Sequence, residues 1–485
     1  MSQAPVIFWF RQDLRLADNP GLCAAVNTGQ VIPVYILDEI NADQWKMGGA
    51  SRWWLHHSLA SLNDSLNGKL NFYRGDAQSI LLNLANTHSA AGVYWNRCYE
   101  PWRIKRDASI KAALKKELSI DGHSFNGSLL WEPWQIAKKD ETPYKVFTPY
   151  YRKGCLNATA PREPLAAPTL TDTNLSAVLD TSETLDDLSL LPTINWDTSL
   201  TPHWNIGESG ARQRLHTFLN HSLTHYKSGR DRPAQLDTSR LSAPLHFGEI
   251  SPNTVWYSAL NTGAAIGDEE NLDTFLSEIG WREFSYYLLY HNPEITWKNL
   301  QAKFDRFPWK SLPVHEKPSR ELIAWQKGLT GYPIIDAGMR ELWQTGYMHN
   351  RVRMIVGSFL VKNLLHHWHL GEAWFWDTLV DADLASNSAS WQWIAGCGAD
   401  AAPYFRIFNP VLQGEKFDSE GEYIRTYIPE LTALPNKYIH KPWDAPAQLL
   451  TEAGICLGET YPEPIVELKA SRNRALDALA STKEP

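Results

Sequence analysis

At 485 residues the chain is too long for one ordinary hydrophobic core, so two or three domains are expected. Apolar residues make up 43%, and no apolar run approaches the ~18 residues of a membrane span, which excludes a spanning helix. The net charge of −8 speaks against a uniformly basic nucleic-acid binder.

Location matters more than the sum. Asp172, Asp180, Glu183, Asp186 and Asp187 crowd one segment without a basic residue; without those five the remainder is −3, which leaves room for a local basic face. The start, MSQAPVIFWFRQDLRL, lacks the basic and long apolar regions of a secretory signal. Five scattered cysteines without CxxC spacing read as reduced thiols of a cytoplasmic protein, with neither a disulfide framework nor a zinc site. The 22 tryptophans are the most unusual feature of the composition. Most must pack in cores, yet so many leaves several for chemistry.

In chain order, VIFWF (6–10), QVIPVYIL (30–37), LNFYRGD (70–76) and GVYWN (92–96) read as buried strands. ASRWWLHHSLASLNDSL and AQSILLNLANTH, between them, have helical spacing. Strand alternating with helix predicts an α/β domain over 1–130, with a doubly wound parallel sheet. It lacks the glycine patterns of NAD or ATP sites. Residues 131–204 have weak periodicity, many prolines and the acidic run; a connector wrapping the surface is expected. From 205 to 485 apolar residues recur at three and four, as in LDTFLSEIGWREFSYYLLY and RVRMIVGSFLVKNLLHHW, which predicts a large all-α domain.

Several side chains share faces. Glu278, Trp281, Arg282 and Ser285 lie on one side of a helix, and so do Asn350, Arg353, Met354 and Gly357, with Arg351 pointing elsewhere. Taken alone, the first set reads as a solvated amphipathic face. The second is an odd core stripe and suits a pocket wall. Asp381, Asp383 and Asn387 in DADLASN read as capping residues or as polar anchors for a cofactor. DTSRLSAPLHFGEISP offers Thr238, Ser239 and Ser242 near a helix start, where phosphates are readily held. His366 and His369 have no acidic or thiol partner nearby and read as a polar helix end; no metal is expected.

FWFRQDLRLADNPGL, DTSRLS, GWREF, GYPIIDAGMRELWQTGYMHNRVRM and WQWIAGCGADAAPYFRIFNPVLQGEKFD together resemble the photolyase/cryptochrome family over nearly the whole chain. The resemblance implies an antenna-chromophore α/β domain, a connector, and a helical domain holding FAD. By the same resemblance Tyr226, Thr238, Ser239, Leu241, Ser242, Arg282, Arg353, Asp381, Asp383 and Asn387 contact the flavin cofactor. Glu278, Trp281, Asn350, Met354 and Trp393 match the lesion pocket of cyclobutane-dimer photolyases. A (6-4) photolyase carries histidines where Asn350 and Met354 stand. Plant-type cryptochromes carry Asp, and animal ones Cys, where Asn387 stands opposite the flavin N5.

The implied reaction is light-driven repair of cyclobutane pyrimidine dimers in DNA by electron transfer from reduced FAD to a flipped-out dimer. A blue-light receptor or a (6-4) photolyase is the alternative. Arg230, Arg351 and Arg406 become phosphate contacts, and Trp391, Trp368 and Trp309 an electron path to the surface. The bacterial class III group looks most similar, class I second. Trp102 and Arg103 replace the Asn-Glu pair of folate-using class I enzymes, so a class III mode of holding methenyltetrahydrofolate is expected, with 8-hydroxy-5-deazaflavin as alternative. A monomer in the cytoplasm, bound to DNA and not to membrane, completes the expectation.

Overall fold

The structure is a computed structural model that describes residues 4–310, 317–400 and 405–482. Its contacts gather into two compact units, Met1–Thr224 with Ser239–Pro293, and His225–Thr238 with Glu294–Pro485. The first unit therefore takes in helices beyond residue 204.

The first unit is built on β1 (Val6–Phe10), β2 (Val31–Leu37), β3 (Asn71–Arg74), β4 (Gly92–Asn96) and β5 (Asp121–Phe125). All pairings are parallel, in the order β3-β2-β1-β4-β5. Helices α1 (Pro20–Thr28), α2 (Gly49–Ser65), α3 (Ala77–Thr87) and α4 (Pro101–Ala113) make the crossovers. Right-handed connections place the helices before and after the change of direction on opposite faces, giving the doubly wound sheet. β1, β2 and β4 are buried along their whole length, as continuous apolar runs require. On one face Trp9, Ile32, Val34, Val93 and Trp95 pack against Leu81, Leu84, Ile110 and Leu114.

β5 lies outside the four strands that the sequence predicts. Its sequence, DGHSF, offers one large apolar residue, because a sheet edge needs little burial; Asp121 is exposed and the rest half-buried.

Between β5 and the helices α5 (Glu208–His221), α6 (Pro252–Ile266) and α7 (Glu269–His291) the chain makes only short helical turns. It bridges the sheet at Val31–Leu175 and Phe72–Glu183. This stretch is not all surface: Phe147, Tyr150 and Tyr151 are buried. A Cβ at Gly280 of α7 would stand 2.6 Å from the Tyr151 ring, so only glycine allows that approach.

The second unit is helical: α8 (Arg320–Lys327), α9 (Pro333–Thr345), α10 (Asn350–Ser358), α11 (Trp368–Thr378), α12 (Leu384–Ala395), α13 (Pro410–Phe417) and α14 (Leu468–Ser481), with shorter turns between. Its core centres on Trp325, Val352, Val356, Leu360, Trp368 and Trp391. The apolar pattern from Arg351 to Trp368 is continuous, yet the backbone is not one helix. After α10 it loosens into a single π-type turn at Phe359–Asn363, and Leu365 takes φ +59°. The His367 side chain then accepts from the His369 N–H at 3.2 Å and caps α11. Among the described residues no helix is long and apolar enough to cross a membrane, and all five cysteines are free thiols.

Candidate functional site

In the first unit, α7 carries Glu278, Trp281 and Arg282, all half-buried. Trp281 stacks on Phe147, centroids 3.8 Å apart and planes 11° from parallel. Phe147 belongs to the expected connector, and nothing in its local pattern announces this contact. Arg282 pairs with the buried Glu283 at 2.9 Å and lies over the Tyr286 ring. Glu283 also accepts from the backbone N–H groups of Leu130 (2.8 Å) and Trp131 (3.3 Å). Burial outweighs these bonds and pushes its carboxyl up to about 7. Ser239, Leu241 and Ser242 precede and open the short helix Ser242–Phe247, and Arg240 between them adopts φ +50°. A non-glycine residue in that region is uncommon and clusters at binding sites.

The second unit carries the remaining residues. Tyr226 is buried and Arg230 lies over its ring at 5.6 Å; Thr238 is half-buried at the end of the same segment. On α10, Asn350 is exposed, while Arg351, Arg353 and Met354 are half-buried. Arg353 donates to the Met348 carbonyl at 2.7 Å and to Asp381 Oδ2 at 2.8 Å. Burial works against its charge, but Asp381 outweighs that, so its pKa ends above the usual value. The other oxygen of Asp381, Oδ1, is buried and finds no hydrogen-bond donor among the described residues. Such a group is costly unless a further partner completes it.

Asp383 proves to be a cap, its Oδ1 accepting from the Ser386 N–H at 2.8 Å where α12 begins. One turn on, Asn387 donates from Nδ2 to the Glu372 carbonyl at 3.0 Å. That bond fixes the amide and leaves its oxygen as the group offered elsewhere. Glu372, unrecognised from sequence, is buried in α11 and accepts from Ser388 Oγ at 2.5 Å. Burial pushes its carboxyl up to about 8, the Ser388 bond opposing only in part.

Trp391 and Trp393, two apart on α12, leave it in different directions. Trp391 is buried against Phe375 (5.0 Å) and Trp325 (6.3 Å), and its ring covers Gly371 so closely that a Cβ there would stand 2.1 Å away. Gly371 lies one turn along α11 from Trp368. Trp393 is half-buried and donates to the Asp400 carbonyl at 3.1 Å. Trp309 reaches the surface beside the start of α11: the Lys310 N–H donates to the Leu365 carbonyl at 2.6 Å and the His367 N–H to the Lys310 carbonyl at 3.1 Å. His367 packs against Trp309 (4.9 Å) and His369 against Trp368 (3.9 Å). Burial pulls both imidazoles down to about 4, so they are neutral at pH 7.

Arg351 and Arg406 line a groove of about 360 Å³ with Lys416, Phe408 and Phe417. Arg351 also pairs with Asp231 at 2.6 Å, touches Met354 Sδ at 3.8 Å and lies over Phe417. The Arg406 carbonyl accepts from the buried Lys362 at 2.6 Å. Burial, then the Arg406 charge, lowers that ammonium to about 7.

At the carboxyl ends of β1 and β4, where the strand order reverses, a second polar cluster forms. Arg11 pairs with Asp107 (2.5 Å), Arg106 with Asp38 (3.2 Å), and Arg103 and Arg106 cover the Trp102 ring. Trp9 Nε1 and Glu100 Oε2 there are buried without a hydrogen-bond partner among the described residues. In open α/β sheets this is where ligands bind.

Two family models match the chain: "DNA photolyase" over residues 6–169 and "FAD binding domain of DNA photolyase" over residues 275–481. A deoxyribodipyrimidine photo-lyase of Agrobacterium fabrum is 48% identical, the match covering 100% of this chain and 99% of that protein. Cryptochrome-2 of Arabidopsis thaliana is 38% identical over 99% of this chain and 79% of its own length. The crystal structure of a bacterial class III photolyase from Agrobacterium tumefaciens superposes with a TM-score of 0.93 at 46% identity, covering 100% of this chain and 99% of that one. Two family models in tandem and full-length relatives well above 30% identity place this chain in the photolyase/cryptochrome family.

Proposed function

We propose that the protein is a deoxyribodipyrimidine photolyase of the class III type, which repairs cyclobutane pyrimidine dimers in DNA under blue light. The observation that carries this reading is the second unit's polar set in a chain matched end to end by a photolyase: Arg353 paired to Asp381, the unpartnered Asp381 oxygen, and Asn387 held by its nitrogen.

The set fits FAD. Its isoalloxazine edge offers the N–H that Asp381 Oδ1 lacks, and the Asn387 oxygen suits an N–H donor while the amide remains a very poor acid. Arg353 supplies positive charge, which favours an electron-rich ring. Tyr226, Thr238, Ser239, Leu241, Ser242 and Arg282 would hold the phosphates and ribityl chain, and Asp383 the ring edge in addition to its capping bond. FAD, when bound and reduced, supplies one electron to the dimer on illumination.

The remaining work falls to side chains. Enzymes acting on bases take them out of the stack, at a cost of a few kcal/mol that is smaller for damaged pairs. Trp281, held flat by Phe147, and Trp393 would cover the flipped thymines. Glu278 and Asn350 would bond the base edges, with Met354 filling the space beside them. Arg230, Arg351 and Arg406 would hold flanking phosphates, with Asp231 competing for Arg351 until DNA arrives. Trp391, Trp368 and Trp309 would form the path by which an external donor reduces oxidised flavin.

By role, residues 1–130 form the antenna domain, 131–204 the connector and 205–485 the flavin domain. The antenna would be methenyltetrahydrofolate in the class III manner, or 8-hydroxy-5-deazaflavin, near the unsatisfied Trp9 and Glu100 atoms. The protein would act as a cytoplasmic monomer.

Competition binding tests the lesion class. Oligonucleotides with one cyclobutane dimer are expected to bind at least about 100-fold more tightly than undamaged ones, a stacked and hydrogen-bonded dimer adding about 3 kcal/mol. A preference for (6-4) products, or none, contradicts the assignment. The cryptochrome relative makes the second outcome the mark of a receptor.

A further inference from the structure

The indole N–H of Trp368 donates to Asn299 Oδ1 at 2.9 Å, and Asn299 Nδ2 donates to Asp305 Oδ1 at 2.7 Å. The direction is not arbitrary. An indole N–H can only donate and a carboxylate only accept, so one amide orientation satisfies both. Trp368 is fully buried, Asn299 half-buried and Asp305 exposed, so the chain runs from the core to the surface.

The loop is anchored by contacts other than those of Asn299, chief among them Gln392, the residue between the two tryptophans of α12. Its Nε2 donates to the carbonyls of Ile295 (2.6 Å) and Lys298 (2.7 Å), and its Oε1 accepts from the Leu300 N–H (2.9 Å). The clamp fixes the register of the loop and delivers the Asn299 amide to Trp368.

We propose that Asn299, polarised by Asp305 and positioned by Gln392, stabilises the one-electron-oxidised, positively charged indole of Trp368 and thereby drives the electron deficit outward from Trp391. This rests on the reading of Trp391, Trp368 and Trp309 as an electron path. A hydrogen bond to a charged donor is roughly twice as strong as one to a neutral donor, so the contact favours the cation over the resting indole. A carboxylate bonded to the far end of the amide makes its oxygen a better acceptor. The amide is too weak a base to take the proton. Trp368 therefore gives one electron to oxidised Trp391, keeps its N–H, and regains one electron from Trp309. Trp309 is restored at the surface by one electron from an external thiol, which is oxidised; bound oxidised flavin, photoexcited, would be the acceptor at the inner end. The neutral His367 and His369 add no opposing charge at pH 7. Asn299 and Asp305 are positioning residues, not catalytic ones.

The test uses the flavin-loaded full chain in two measurements. In transient absorption, the yield of long-lived oxidised tryptophan should fall about tenfold in Asn299→Leu and about threefold in Asp305→Asn, which keeps an acceptor but removes the charge. In ¹⁵N-tryptophan NMR, the Trp368 Nε1–H resonance, assigned by its disappearance in Trp368→Phe, should move upfield in Asn299→Leu. An unmoved resonance overturns the contact. Unchanged yields in both variants, with Trp368→Phe abolishing the signal, overturn the proposal while leaving the path intact. A Trp368→Phe protein with the parent's yield instead removes the path itself.

Discussion

Trp391→Phe is expected to lose light-driven reduction of oxidised flavin by external thiol, with a rate at least about a hundredfold below the parent's. The side chain is 3% exposed, seated on Gly371 and edge-on to Phe375. Phenylalanine fits that space with only a small void, so the fold should survive. Benzene is much harder to oxidise than indole. An added barrier of only about 3 kcal/mol already slows a step about a hundredfold. Repair by protein reduced chemically beforehand is expected to continue, because electron delivery to the dimer does not pass through Trp391. Photoreduction at the parental rate would remove Trp391 from the path.

Glu372→Gln is expected to alter stability in a pH-dependent way. Burial raises the Glu372 carboxyl from 4.5 to about 8. Below 4.5 both the folded and unfolded chains hold the proton. Between 4.5 and about 8 the unfolded chain releases it and the folded chain keeps it, so stability falls as pH rises through that window. Glutamine keeps the shape and stays neutral, so the variant lacks this loss. Relative to the parent it should gain roughly 3–5 kcal/mol between pH 5 and pH 8. Glu249, Glu283, Asp336 and Asp418 shift upward too, but both proteins contain them and the difference isolates Glu372. Urea midpoints at the two pH values measure it. Equal differences at pH 5 and pH 8 would mean that Glu372 does not keep its proton. Asn387 is held by the backbone carbonyl of Glu372, so its own contact should persist.

Much of this architecture is legible from residue types alone. β1, β2 and β4 announce themselves because strands inside a parallel sheet bury both faces and need unbroken apolar runs. The edge strand Asp121–Phe125 does not, since an edge can be polar. Helical spacing finds α10 but not its end, because the break at Leu365 depends on a histidine cap and a left-handed residue that apolar periodicity does not register. The site divides in the same way. Side chains in long motifs, such as Arg353 and Asn387, stand out by type and spacing. Phe147 under Trp281, Glu372 behind Asn387, and Gln392 clamping residues 295–300 do not. Each works through a contact distant in sequence, and nothing local distinguishes a buried glutamate or glutamine from a solvated one.

Dimer loss measures the proposed repair most directly. The full chain, loaded with FAD and chemically reduced, is mixed with an oligonucleotide bearing one thymine dimer, then illuminated with blue light or kept dark. Restoration of intact thymines with many turnovers in the light and none in the dark is expected; dimers that persist in the light despite bound, reduced flavin would contradict the account.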